Sequence, residues 1–147
     1  MKLFRLNSLS RKFDDLDKSL RPFSLYNGNN VFAMPTLEQV LKHRVVISTC
    51  ISAGALGGLG VQKGHFNYIF IDEAGQGKEP EVIVPVKDLA DKNTNVVLAG
   101  DLMQLGPIVH SRLAKDLGLK QSYLERLMNR PCYQLEDEGD SPAKGVT

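Results

Sequence analysis

Three apolar runs punctuate the chain: Val45-Val46-Ile47-Ser48-Thr49-Cys50, Tyr68-Ile69-Phe70-Ile71-Asp72-Glu73 and Val96-Val97-Leu98-Ala99-Gly100-Asp101. Each is rich in β-branched or aromatic residues, is continuous rather than alternating, and ends in small or polar residues. A strand with one wet face alternates, whereas an uninterrupted apolar strand suits a parallel sheet covered by helices on both faces. Helices are expected between the runs. Thr36 stands where it can cap one reaching His43. A second spans Glu79 to Ala90, with Pro80 at a tolerated early position and Pro85 expected to kink or shorten it. Ser122-Tyr123-Leu124-Glu125 has the spacing of a capping box and opens a short amphipathic helix through Met128. Leu3 to Leu6 reads as a further strand, and residues 8–30 resist assignment. The glycine-rich stretch Gly54 to Gly64 reads as a loop, and the acidic stretch Leu135 to Thr147 as a linker or frayed end. Strands alternating with helices imply an α/β fold built on a parallel sheet.

Composition narrows the class without naming a task. The 147 residues amount to one ordinary domain, and 42% hydrophobic with 24% charged content is that of a globular protein. A formal net charge of +1 gives no overall signature for polyanions. The first third is locally basic, with Lys2, Arg5, Arg11, Lys12, Lys18, Arg21, Lys42 and Arg44 outnumbering its acids. Such a face could touch RNA phosphates, but a solvated surface explains it better. Cys50 and Cys132 are far apart and His43, His65 and His110 are scattered, so neither a zinc site nor a disulfide framework is expected. Reduced thiols fit a cytosolic or nuclear setting, with cytoplasm favoured. No apolar run reaches membrane-spanning length and the N-terminus lacks an apolar signal segment, so no membrane partner is expected.

The chemistry lies where the apolar runs end. Ligands of parallel α/β sheets bind at the carboxyl ends of strands, and Asp72-Glu73 follows four apolar residues directly. Unpaired buried carboxylates are costly, so these acids are poorly explained as core. In a nucleotide hydrolase the first acid of such a pair holds Mg²⁺ and the second orients and polarises the attacking water. A strand ending at a solvated acidic turn explains this run alone equally well. Roughly thirty residues later, one strand-helix-strand step on, Val96 to Pro107 brings Asp101 and Gln104 to the same edge. Gly100 permits close backbone approach there, and Pro107 fixes the turn that follows. A glutamine amide both donates and accepts, which suits it to sensing phosphate and water together.

The strings IDEAG and LAGDLMQLGP resemble motifs II and III of superfamily 1 helicases. HFNYIFIDEAGQGKEPE, VVISTCISAG before it and SYLERLM after it narrow the resemblance to the Armitage and Moloney leukaemia virus 10 group of RNA helicases. The similarity runs from about Leu37 to Tyr133. It implies a partial RecA-like domain of the P-loop NTPase class over residues 1–133, with 134–147 as an acidic linker or disordered tail. It implies ATP and Mg²⁺ as cofactors, Asp72 as the metal ligand and Glu73 as the water-activating residue. Gln104, with Asp101, would couple the γ-phosphate to the RNA-binding face, while Gln76 is a polar neighbour of the carboxylates without an assigned role. Ser48, Thr49 and Ser52 fall where relatives touch the nucleic-acid backbone, although strand-terminating hydroxyls explain them as well.

The resemblance further implies single-stranded RNA as a partner and a role in RNA silencing or surveillance, with Argonaute-type or RNA-decay proteins nearby. No GxxxxGKS or GxxxxGKT occurs in the chain, and Gly54 to Gly60 is no substitute, because no Gly-Lys-Ser/Thr opens a helix after it. The chain is therefore expected to be a fragment of an ATP-dependent RNA helicase. Alone, it is expected to be marginally stable and to turn over no ATP at a helicase-like rate. Two alternatives stay open on sequence: a non-catalytic RNA- or protein-binding remnant of the domain, and a superfamily 1 DNA helicase.

Overall fold

The structure, a computed structural model, describes residues 2–133. In chain order these form β1 (Leu3–Arg5), α1 (Leu37–Leu41), β2 (Val45–Ile47), α2 (Cys50–Gly58), β3 (Tyr68–Ile71), α3 (Glu79–Leu89), β4 (Asn95–Leu98), α4 (Arg112–Ala114) and α5 (Tyr123–Met128). The anticipated tail, 134–147, lies outside the described residues. The chain divides into two compact units. Among the described residues, one holds 2–69 together with Ile83–Val96, and the other holds Phe70–Val82 and 97–133.

In the first unit β1 pairs in parallel with β2, placing Leu3 against Val45 and Arg5 against Ile47. Phe4, Leu6, Val40, Ala53, Leu56, Val61 and Leu89 form its core, each at most 6% exposed. Full burial of an aliphatic side chain of this size stabilises by about 1.5–3 kcal/mol. Thr36 caps α1 as expected: its hydroxyl accepts from Gln39 N, and the Gln39 side chain accepts from Thr36 N. The unassigned stretch 8–30 is largely irregular, tied by bridges from Lys12 to Val31 and Tyr26 to Phe32, with Phe13 stacked on Tyr26.

Two sequence expectations are corrected in this unit. The first apolar run does not remain extended to Cys50: β2 stops at Ile47, and Thr49 caps α2 by accepting from Ser52 N. The first part of the glycine-rich stretch, Gly54 to Gly58, is helix rather than loop. A Cβ on Gly54 would lie 2.8 Å from Val84 Cγ1, and one on Gly57 would lie 3.3 Å from Asp88 Cβ. The missing side chains let α2 press against α3, and that packing outweighs the helix-propensity cost of about 1 kcal/mol per glycine. Gly60, at φ +94°, follows the helix in the left-handed conformation that ends many helices.

Pro85 does not shorten α3, which continues to Leu89. Val82, Pro85 and Leu89 are all buried, an apolar stripe at helical spacing that offsets the hydrogen bond proline cannot donate.

β3 and β4 form a second two-stranded sheet. Asn95 N donates to Asn67 O at 2.9 Å and Ala99 N to Ile71 O at 2.8 Å. Partners advance four residues on both strands in the same sense, so the pairing is parallel, as the α/β reading requires. Burial along β3 alternates nonetheless: Ile71 is 5% exposed, while Phe70 is 73% exposed. A continuous apolar run identifies a strand without stating that both of its faces are covered.

Candidate functional site

The site is built where β3 and β4 end, wholly within the second unit. Ala99 N donates to Ile71 O and Ala74 N to Ala99 O, both at 2.8 Å, so the pairing extends beyond the strands proper. Two glycines make that approach feasible. A Cβ on Gly75 would fall 2.8 Å from the Asp101 carbonyl oxygen, and one on Gly100 would fall 2.7 Å from Gly75 N. No other residue fits at either place without backbone movement. Ala74, 1% exposed, anchors the turn beneath the acids.

Asp72 and Glu73 follow β3 directly and both are exposed. Asp72 Oδ1 accepts from Glu73 N at 2.9 Å. Glu73 has φ +54°, the left-handed region that costs a non-glycine residue about 1–2 kcal/mol. The Ala74–Ala99 bond and a turn bond from Gln76 N to Glu73 O (2.9 Å) hold it there. Strain maintained at an exposed acid is common where function fixes a side-chain direction.

From Glu73 a row of polar groups leads to the second arm. Gln76 Nε2 donates to Glu73 Oε2 at 3.0 Å and reaches Gln104 Oε1 at 3.5 Å. Gln104 Nε2 in turn donates to Asp101 Oδ2 at 3.4 Å, and Asp101 Oδ1 accepts from Met103 N at 2.8 Å. Both ends of the row are carboxylates, which only accept, so the orientations of both amides follow from them. Beside the row is an open cleft of about 470 Å³ lined by Gln76, Met103, Gln104 and Leu105.

Asp72, Glu73, Asp101 and Gln104 are thus gathered on one pair of strand ends. Ser48, Thr49 and Ser52 belong to the first unit and start α2. Thr49 Oγ1 accepts from Ser52 N at 3.2 Å and donates to Ser52 Oγ at 3.0 Å, so the Thr49 hydroxyl has a capping task of its own. Sequence reading named Gln76 but missed its bridging position. Its spacing of three from Glu73 was the available signal, because a turn brings such residues together. Gly75 was likewise not singled out.

The donor set fits a hard divalent cation that keeps most of its water. Among the described residues no group of three or more His, Cys, Asp or Glu could cage a metal. An exposed carboxylate with one oxygen beyond its backbone bond suits Mg²⁺, which binds through one or two carboxylates and completes its shell with water and phosphate.

Residues 6–112 match the AAA domain family, more than half of the chain. The chain is 50% identical to the human (Homo sapiens) protein RNA helicase Mov10l1 over 135 residues, covering 92% of this chain and 11% of that protein. It is 41% identical to the mouse (Mus musculus) RNA helicase Mov10l1 over 144 residues, covering 98% of this chain and 12% of that protein. Identity to the Drosophila melanogaster protein named probable RNA helicase armi is 48% over 92 residues, covering 63% of this chain and 8% of that protein. The chain therefore spans only about an eighth of the length of the two Mov10l1 relatives.

Proposed function

Because this chain belongs to the AAA domain family, within the Mov10- and Armitage-like group of superfamily 1 helicases, we propose that it supplies the metal- and water-handling half of an ATPase site. The parent activity is ATP-dependent movement on single-stranded RNA or unwinding of RNA duplexes, in the cytoplasm, within RNA silencing or surveillance alongside Argonaute-type or decay proteins. The observation that carries the reading is the bonded row Glu73–Gln76–Gln104–Asp101 at the paired ends of β3 and β4.

Asp72 would hold Mg²⁺ through its water shell, and the bound ion supplies neutralisation of β- and γ-phosphate charge. Glu73 orients a water through a carboxylate oxygen and accepts its proton as the oxygen attacks the γ-phosphorus. The bond from that phosphorus to the β–γ bridging oxygen breaks, giving ADP and inorganic phosphate. Gln104, held by Asp101 on one side and Gln76 on the other, meets the γ-phosphate and changes partner when the phosphate leaves. Ser48, Thr49 and Ser52, at the start of α2, are the hydroxyls assigned to the RNA backbone; such contacts position a strand without reading its sequence.

The test is ATP hydrolysis by the protein at the length its own cells make, with and without single-stranded RNA, against a Glu73→Gln variant. RNA should stimulate turnover, and the variant should lose about 100-fold or more, the scale of a lost general base. Turnover indifferent to RNA, or retained by the variant, contradicts the reading. Strand displacement on matched RNA and DNA duplexes separates the RNA assignment from a DNA one.

A further inference from the structure

We infer that α5 is a brace for this site and that Arg126 is its positioning residue, fixing the turn that carries Asp72 and Glu73 against the turn that carries Asp101 and Gln104. This rests on the ATPase reading for its consequence, though not for its geometry.

Three contacts converge on the short helix Tyr123–Met128, all within the second unit. Ser122, its cap, is 1% exposed, accepts from Glu125 N and forms a backbone bridge with Lys78, at the far end of the acidic turn. One turn on, Arg126 forks onto Glu79, the first residue of α3: Nη2 donates to Oε1 at 2.6 Å and Nε to Oε2 at 2.7 Å. Between them Leu124 reaches the other arm, its Cδ2 lying 3.3 Å from where a Cβ on Gly100 would stand. One helix therefore touches Lys78 and Glu79 on the first arm and Gly100, immediately before Asp101, on the second.

The Arg126–Glu79 pair is the directional element of the brace. A planar guanidinium bound through two nitrogens to one carboxylate fixes orientation as well as distance, unlike a single lysine contact. The Tyr123 ring lies 5.3 Å from the guanidinium carbon and limits its swing. Hydrogen bonding from Arg126 also holds the Glu79 carboxyl below its ordinary pKa, so the pair remains ionised through the neutral range. Exposed ion pairs contribute little to global stability, and this one is more than a third exposed on both sides. Its geometry, more than its energy, is what the site uses.

The test pairs a kinetic readout with one independent of turnover, on the native-length protein and its Arg126→Met, Glu79→Met and doubly substituted forms. Arg126→Met should lower kcat about tenfold while the KM for ATP stays within about twofold, the pattern of lost transition-state positioning. The double variant should be no worse than either single one, since both remove the same contact. Amide hydrogen exchange at Ala74 and Met103 should accelerate in all three forms, while Val61 in the first unit keeps its protection as a control for unfolding. Unchanged exchange at Ala74 and Met103, additive kinetic losses, or equal acceleration at Val61 would each overturn the brace. A native-length protein without ATPase activity would remove the proposed function and leave exchange to decide the brace alone.

Discussion

Gly100 and Gly75 face each other across the ends of β3 and β4 so closely that a Cβ on Gly100 would lie 2.7 Å from the Gly75 backbone nitrogen. This contact, rather than the strands themselves, sets how near the two arms of the site come. Gly100→Ala should therefore force the arms apart, costing about 1–3 kcal/mol as overpacked sites do. A urea titration would read this as a lower midpoint with an unchanged slope. An alanine accepted at no cost would show that the arms are not held in this register.

Gln76 is the link between the acid pair and the glutamine of the second arm. Hydrogen bonds to charged groups contribute about 1.5–3 kcal/mol, and exposure places this one at the low end, so Gln76→Ala should slow hydrolysis about tenfold. Gln76→Glu should be worse, because it places a second carboxylate 3.0 Å from Glu73 Oε2 instead of a donor. Comparing the kcat of the two variants checks this. Equal activity of the glutamate and alanine forms would show that the amide donor plays no part.

The Arg126–Glu79 contact gives a pH dependence of definite sign. Glu79 has a folded pKa below its ordinary value, chiefly through the hydrogen bond from Arg126 and further through the charges of Arg126 and Arg130. Its contribution is complete above the ordinary glutamate value of 4.5 and is lost as pH falls through the lowered folded value. Glu79→Gln should accordingly lower the second unit's stability modestly at neutral pH and flatten its acid limb, so that the two curves converge as pH falls. Chemical denaturation followed at Tyr123 across the acid range tests this, and identical acid limbs would contradict it.

Thr49 illustrates a structural role at a position also assigned to nucleic acid. Thr49→Ala removes the cap on Ser52 N and should destabilise the first unit by about 1 kcal/mol. Thr49→Asp keeps a capping acceptor but adds negative charge, so it should preserve stability and weaken RNA binding. Filter binding alongside thermal melting separates the two effects. An aspartate variant that binds RNA as wild type removes Thr49 from the interface.

The sequence was most legible where local rules govern. Thr36 and Ser122 cap helices as their spacing indicated, and Asp72, Glu73, Asp101 and Gln104 lie at strand ends as the apolar runs implied. It was least legible where packing overrides propensity. Gly54 and Gly57 read as loop residues by composition and are helical because Val84 and Asp88 occupy the space their side chains would need. The contact of Arg126 with Glu79 joins residues 47 positions apart, and nothing in their spacing announces it. The exposure of Phe70 was hidden for a related reason: hydrophobicity along a strand does not record what covers each face.

A crystal structure of the native-length protein with Mg²⁺ and a non-hydrolysable ATP analogue tests the central assignment most directly. The account predicts Asp72 in contact with the metal's water shell, with Glu73 and Gln104 both turned toward the γ-phosphate. A nucleotide bound elsewhere, or these three side chains directed into separate regions around it, would contradict the account.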